Sequence, residues 1–286
     1  MWPLTIPNFA DCEVFGVTTS KLRNINGLVA RLDLAKIIIL AEWEEFADKG
    51  HNKELHQFVS NDVTAGTISK GEMIRLYDSG LRRFGGPGRP VYDGLMALAP
   101  NRRCPYCGHR RVGTLDHFLP QAKYPVFSVA PLNLVPCCIE CNKDKKADDP
   151  GTLEETILHP YFESIDDVTW LRANIIDEGG IAVFLFEVDR SSGLEECTWR
   201  RAENQLKSLS LGELYTIESN DLLSSIRLNL RGVFAASSHA GVKAYLKSEW
   251  QSSKFHRRNA WQTAFYRAAY KSNWFCNGGF DDPDLL

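Results

Sequence analysis

Between Leu28 and Asp48 the apolar residues Leu28, Leu32, Ala35, Ile38, Ile39, Trp43 and Phe46 recur at the three- and four-residue steps of one helix face. That spacing predicts a long helix packed on a core. Ser69 offers a capping oxygen and Glu72 stands three residues on, so a second helix is expected to start there and run to about Phe84. The run GGPGRP, residues 85–90, breaks the pattern before a short helix from Pro90 to about Leu98.

Helical spacing gives way between residues 100 and 147. CPYCGHR reads as a tight turn between two short strands, VGTLDHFL as the second of them, PQAKYPVFSVAP as a long proline-punctuated loop, and CIECNKDKK as the start of a helix. Downstream, TWLRANII and IAVFLFEV form a hairpin pattern around DEGG. Four helical patterns follow: WRRAENQLKSL, GELYTIESNDLLSSIRLNLRGVFAAS, AGVKAYLKSEW and NAWQTAFYRAAYKS. Trp274 and Phe275 in the turn-rich tail are expected to dock on the core. The pattern predicts an α+β chain, mostly helical, with a small mixed motif at its centre and a β-hairpin after it. Three regions are expected: a helical one over 1–99, the mixed motif over 100–150, and a hairpin with helices over 151–286.

Composition narrows the function classes. With 44% hydrophobic and 24% charged residues and a net charge of -3, the chain is not a globally basic nucleic-acid binder. The start MWPLTIPNFADCEVFG lacks the basic and apolar regions of a secretory signal, and LAKIIILAEW is too short and too charged at its flanks to span a bilayer. A cytoplasmic protein with no membrane association and with reduced thiols is therefore expected.

Five of the eight cysteines (Cys104, Cys107, Cys137, Cys138 and Cys141) lie in the central motif. The solitary Cys12, Cys197 and Cys276 are expected to be buried thiols. Cys104 and Cys107 form one C-x2-C, Cys138 and Cys141 another. Two intervening residues let a tight turn aim both thiolates at one ion, and four thiolates close a tetrahedral shell with no open position. A structural Zn2+ is the expected occupant, with coincidence or a redox pair as the alternatives. Cys137 is expected to be buried and not a ligand, and the stretch between the pairs to have little core without metal.

Taken singly, Asp116, His117, Asn133 and Asn142 have ordinary explanations as a turn or cap residue, a satisfied strand-end histidine, a loop residue and a helix-surface residue. Together with the cysteines they read CPYC, DHFLP, NLVPC and CIECNKDK. This order resembles the HNH endonucleases, the zinc-containing branch of the ββα-metal nucleases. Asn142 stands where many members carry a last histidine, a departure that bears on metal preference.

The resemblance implies metal-dependent hydrolysis of DNA. His117 would be the general base, Asp116 and Asn142 the oxygen ligands of a catalytic Mg2+ or Mn2+, and Asn133 a brace holding His117 in orientation. Adjacent strand residues point to opposite sides, so Asp116 and His117 can share a site only where the strand ends. Lys143, Lys145 and Lys146 on the helix start, and Lys123 on the loop, would face the phosphate backbone. Residues 100–147 hold Arg102, Arg103, Arg110, Arg111 and those four lysines against Asp116, Glu140 and Asp144, a net +5 that leaves -8 on the rest of a chain whose total is -3. VYDGLMALAP, LHPYF and SNWFCNGGF resemble a narrower group of bacterial HNH proteins. Some of these serve anti-phage defence beside an ABC/SMC-type ATPase, in Septu-like systems and some retrons, which implies such a partner. The alternatives are a non-catalytic zinc-knuckle module that binds nucleic acid, and an assembly subunit silent until its ATPase joins.

Overall fold

A computed structural model describes residues 2–145 and 151–281 of the chain. Its contacts divide it into two compact units, Met1–Ser164 and Ile165–Leu286. The segments 1–99 and 100–150, separate regions in the sequence pattern, thus share one unit.

The first unit opens with α1 (Asp11–Thr19) and α2 (Leu28–His51). In α2 the stripe Leu28, Leu32, Ala35, Ile39, Trp43 and Phe46 is buried, while Ile38 of the expected stripe lies on the exposed face. Two-residue strands β1 (Val63–Thr64) and β2 (Ile68–Ser69) lead into α3 (Lys70–Arg75). Glu72 and Ser69 close a capping box there. The helical path continues as a π-type turn over Leu76–Leu81 and ends short of Phe84, and α4 (Arg89–Ala97) follows.

The central motif comprises β3 (Thr114–His117), β4 (Leu134–Cys137) and α5 (Ile139–Lys145). β3 and β4 pair antiparallel, Asp116 opposite Val135 and His117 opposite Leu134. The expected strand before Cys104 is a single bridge, Arg103 to Arg111. The true partner of β3 is LVPC, hidden in the sequence because all four residues are buried and one is proline, so no alternation marks it.

The loop between the strands is not poor in core. Phe118, Leu119, Tyr124, Val126, Phe127, Val129 and Ala130 are all buried, which corrects the expectation that the segment has little core of its own. Helix α2 supplies the support: Trp43 Nε1 donates to the Val126 carbonyl at 2.8 Å, and the Phe46 ring lies 5.0 Å from that of Phe127.

The second unit is a hairpin, β5 (Leu171–Glu178) and β6 (Ile181–Val188), covered by α6 (Glu196–Ser208), α7 (Leu211–His256) and α8 (Trp261–Lys271). Its two-residue turn places Gly179 at φ 66° and Gly180 at φ 95°, a geometry that glycine adopts without a Cβ penalty. α7 is two helical runs joined at a kink, as the pattern expects: the backbone leaves helical geometry at Ser238, where φ is 53° and ψ is -162°. Phe184 packs on Phe265 with ring centroids 4.3 Å apart. In the tail Phe275 is buried as expected, whereas Trp274 is 37% exposed. Of the solitary cysteines Cys276 is buried, but Cys197 is half-buried and Cys12 is exposed. No helix among the described residues is long and apolar enough to cross a membrane.

Candidate metal centre and active site

Cys104 and Cys107 occupy a tight turn in which Gly108 N donates to Cys104 O at 2.8 Å and Cys104 N to Arg110 O at 2.9 Å. Gly108 sits at φ 65°, and a Cβ there would lie 2.7 Å from Trp2 Nε1, so the turn tolerates no side chain at that position. Cys138 and Cys141 are carried by the entry to α5. The four Sγ atoms are buried and lie within 4.8 Å of one another. A tetrahedron with metal–sulfur bonds of about 2.3 Å has edges of about 3.8 Å, so the cluster matches a closed thiolate site.

The backbone is arranged for thiolates as well. Arg110 N donates to Cys107 Sγ at 3.4 Å and Cys141 N to Cys138 Sγ at 3.3 Å. Hydrogen bonds from the neighbouring thiols hold Cys107 well below its ordinary range, those from Cys104 first. Burial pushes the Cys137 thiol up, followed by the nearby Asp116 charge, so this fifth cysteine stays a neutral thiol outside the cluster.

Asp116 and His117 project from β3 into different surroundings, as alternation requires. Asp116 is 4% exposed. Its Oδ2 accepts from Tyr106 Oη at 2.9 Å and meets Lys145 Nζ at 2.9 Å. Lys145 Nζ also donates to the His117 carbonyl at 2.7 Å and lies 5.4 Å from the Phe118 ring. Lys145 is therefore an internal counter-charge and does not stand free on the surface for a phosphate.

His117 is half-buried. Its Nε2 lies 2.9 Å from the Ser128 carbonyl, which can only accept, so Nε2 carries the hydrogen and Nδ1 keeps its lone pair. The imidazole packs edge-on against Tyr77, centroids 4.6 Å apart. Burial lowers its pKa from 6.5 to about 4, overriding the Ser128 hydrogen bond and the Asp116 charge, which both raise it. The ring is neutral at pH 7, the form a general base requires.

Asn133 is fully buried and ties the loop together. Its Oδ1 accepts from Leu119 N at 2.7 Å, and its Nδ2 donates to the carbonyls of Leu119 at 3.0 Å and Phe127 at 3.2 Å. These bonds fix the chain on both sides of the turn from β3 to Ser128. Replacing Asn133 with Ala takes a partner from Leu119 N and O and leaves the Phe127 carbonyl with Ala130 N alone, and we expect a loss of about 3 kcal/mol, read from the urea midpoint.

Asn142 is half-buried one turn before Lys145, on the same face of α5. Lys143 is exposed and Lys123 half-buried. Lys146 lies outside the described residues. Tyr106, at an interior position of CPYC, joins the cysteine turn to Asp116, a link that spacing alone did not reveal. Its only sequence signal is an aromatic with a polar tip inside a metal turn.

The Lys145–Asp116 pair leads to a stability prediction. With side-chain exposures of 10% and 6%, the pair is nearly dry. Lys145→Met leaves the carboxylate without its counter-charge and is expected to cost about 3 kcal/mol. Adding Asp116→Asn removes that buried charge and should recover most of the loss, a coupling that a double-mutant cycle in urea measures.

The chain is similar to protein ea31 of Escherichia phage lambda, 30% identical over 177 residues, a match covering 60% of this chain and 58% of that protein. It thus spans less than two thirds of the length of that relative. No family model matches the chain, and no solved structure matches it.

Proposed function

We propose that the chain is a metal-dependent endonuclease of the HNH type that hydrolyses phosphodiester bonds of DNA, with structural Zn2+ in the four-cysteine cluster. The observation that carries the reading is His117: a neutral imidazole, held through Nε2 by a backbone carbonyl and offering Nδ1, one residue from a buried carboxylate. Both stand on a strand–strand–helix unit closed by the cysteines.

In this reading His117 Nδ1 takes a proton from a water whose oxygen attacks the phosphorus. The P–O3′ bond breaks, and the departing 3′ oxygen takes up a proton from solvent, leaving a 5′ phosphate and a 3′ hydroxyl. The Ser128 carbonyl holds the ring and Asn133 braces the loop that carries Ser128, so orientation is set before substrate arrives. Asp116 and Asn142 offer oxygen donors of the kind that suit Mg2+ or Mn2+, and the Asp116 carboxylate already attracts a cation in the form of Lys145. Such a cation, when bound, stabilises charge on the scissile phosphate. Taking it up requires Lys145 to give way at Asp116.

Asn142→Ala should keep one zinc per chain by elemental analysis and reduce metal-dependent plasmid nicking about a hundredfold. Loss of zinc in that variant, or full nicking, would contradict the assignment.

One observation favours a second reading. Because Lys145 occupies Asp116, the chain as it stands resembles a subunit that does not cut alone: a non-catalytic zinc-knuckle module would bind nucleic acid and never cut, whereas an assembly subunit would stay silent until an ATPase partner joins. Nicking that appears only in a reconstituted complex separates this reading from the first.

A further inference from the structure

Two adjoining hollows lie on the first unit beside the cysteine turn. One, of about 410 Å3, is bounded by Arg102, Arg111 and the start of α5. The other, of about 610 Å3, is bounded by Arg82, Arg89 and Arg102, and the two share Met96 and Gly113. Together they form one groove with four arginines against the acids Asp93 and Glu140. Among the described residues, none of the lysines assigned to phosphate from the sequence (Lys123, Lys143 and Lys145) lines it.

The charges in this groove are unequally engaged. Arg82 pairs with Asp78 at 3.0 Å and Arg89 with Asp93 at 2.9 Å, both on the helix surface. Arg102 and Arg111 are exposed and make no ion pair among the described residues. Arg102 also holds a left-handed backbone at φ 56°, next to Asn101 at φ 53°. A Cβ-bearing residue in that region is strained, and such strain gathers where a side chain has a task.

The groove leads towards the candidate base. The Arg82 guanidinium lies 5.9 Å from the centroid of the Tyr77 ring, which packs on His117 at 4.6 Å. Where the two hollows join, Gly113 immediately precedes β3, the strand that carries Asp116.

We propose that this groove is a binding track for the phosphodiester backbone of DNA, with Arg102 and Arg111 as its two principal phosphate contacts. Planar guanidinium groups suit phosphate oxygens, and unpaired ones lose no existing ion pair on binding. The proposal rests on the nucleic-acid part of the reading above, but not on cleavage.

The test is fluorescence anisotropy of the full chain with a fluorescein-labelled 20-base-pair duplex across a salt series, without added divalent cation. Arg102→Gln combined with Arg111→Gln, at wild-type zinc content, should weaken binding at least tenfold at about 0.1 M salt. It should also reduce the salt slope by about 2, the value for two lost phosphate contacts. The doubly lysine-substituted chain should keep that slope. As a measurement on unaltered protein, bound duplex should protect Arg102 and Arg111 from phenylglyoxal, read by mass spectrometry. Unchanged affinity and slope in the glutamine variant, or full labelling of both arginines while the duplex is bound, overturns the groove. A wild type that binds with this protection yet never cleaves overturns the nuclease reading alone.

Discussion

Cys141→Ser is expected to abolish stoichiometric zinc and to release the ends of the central motif. The four Sγ atoms lie buried within 4.8 Å of one another, so their thiolate charges have no compensation except a cation. Apparent zinc-binding free energies at such sites are on the order of 10 kcal/mol, comparable with the whole stability of a domain.

The loss should not be uniform. Residues 118–130 are packed on α2 through Trp43 and Phe46, and Asn133 bonds them internally. Hydrogen exchange should therefore rise sharply in the turn 104–110 and in α5, and much less in the loop between the strands. A loop that exchanges as fast as the turn would show that metal, and not α2, holds it. Zinc loss should also act at a distance from the metal: the turn carries Tyr106, whose hydroxyl holds Asp116 at 2.9 Å, so that carboxylate would lose a donor.

The cysteine pairs were legible because their spacing is itself the chemistry: two residues per turn and one turn per pair suffice to name the four cysteines that cluster. The core stripe of α2 was legible for a similar reason, since a period of 3.6 needs no tertiary knowledge. Strand LVPC was not, because a buried strand bearing a proline lacks the alternation that marks strands. The break in 211–256 was legible too, since the helical pattern lapses at the small polar residues around Ser238, where the backbone leaves helical geometry.

The candidate site was half legible. Asp116, His117, Asn133 and Asn142 could be singled out by order, but their surroundings come from elsewhere in the chain. Ser128 O fixes the tautomer of His117, Tyr77 packs its ring, and Tyr106 and Lys145 hold Asp116. Lys145 shows why such contacts escape a pattern. At a helix start a lysine reads as a solvent-facing cation, and only the fold of α5 against β3 turns it inward onto Asp116.

The largest expected effect on activity belongs to His117. Removing its imidazole takes away the proton acceptor while leaving the Asn133 brace and the cysteine cluster in place, because neither uses that side chain. General-base catalysis contributes roughly 10²–10⁴-fold, and His117→Ala should lose about that factor with zinc content and melting behaviour close to wild type. The direct measurement is single-turnover nicking of supercoiled plasmid with added Mg2+ or Mn2+, comparing the two proteins at equal zinc content. The account predicts cleavage by the wild type that depends on the added metal and falls at least a hundredfold in His117→Ala. Cleavage by folded His117→Ala at the wild-type rate, or a zinc-replete wild type that binds the plasmid and leaves it intact, would contradict it.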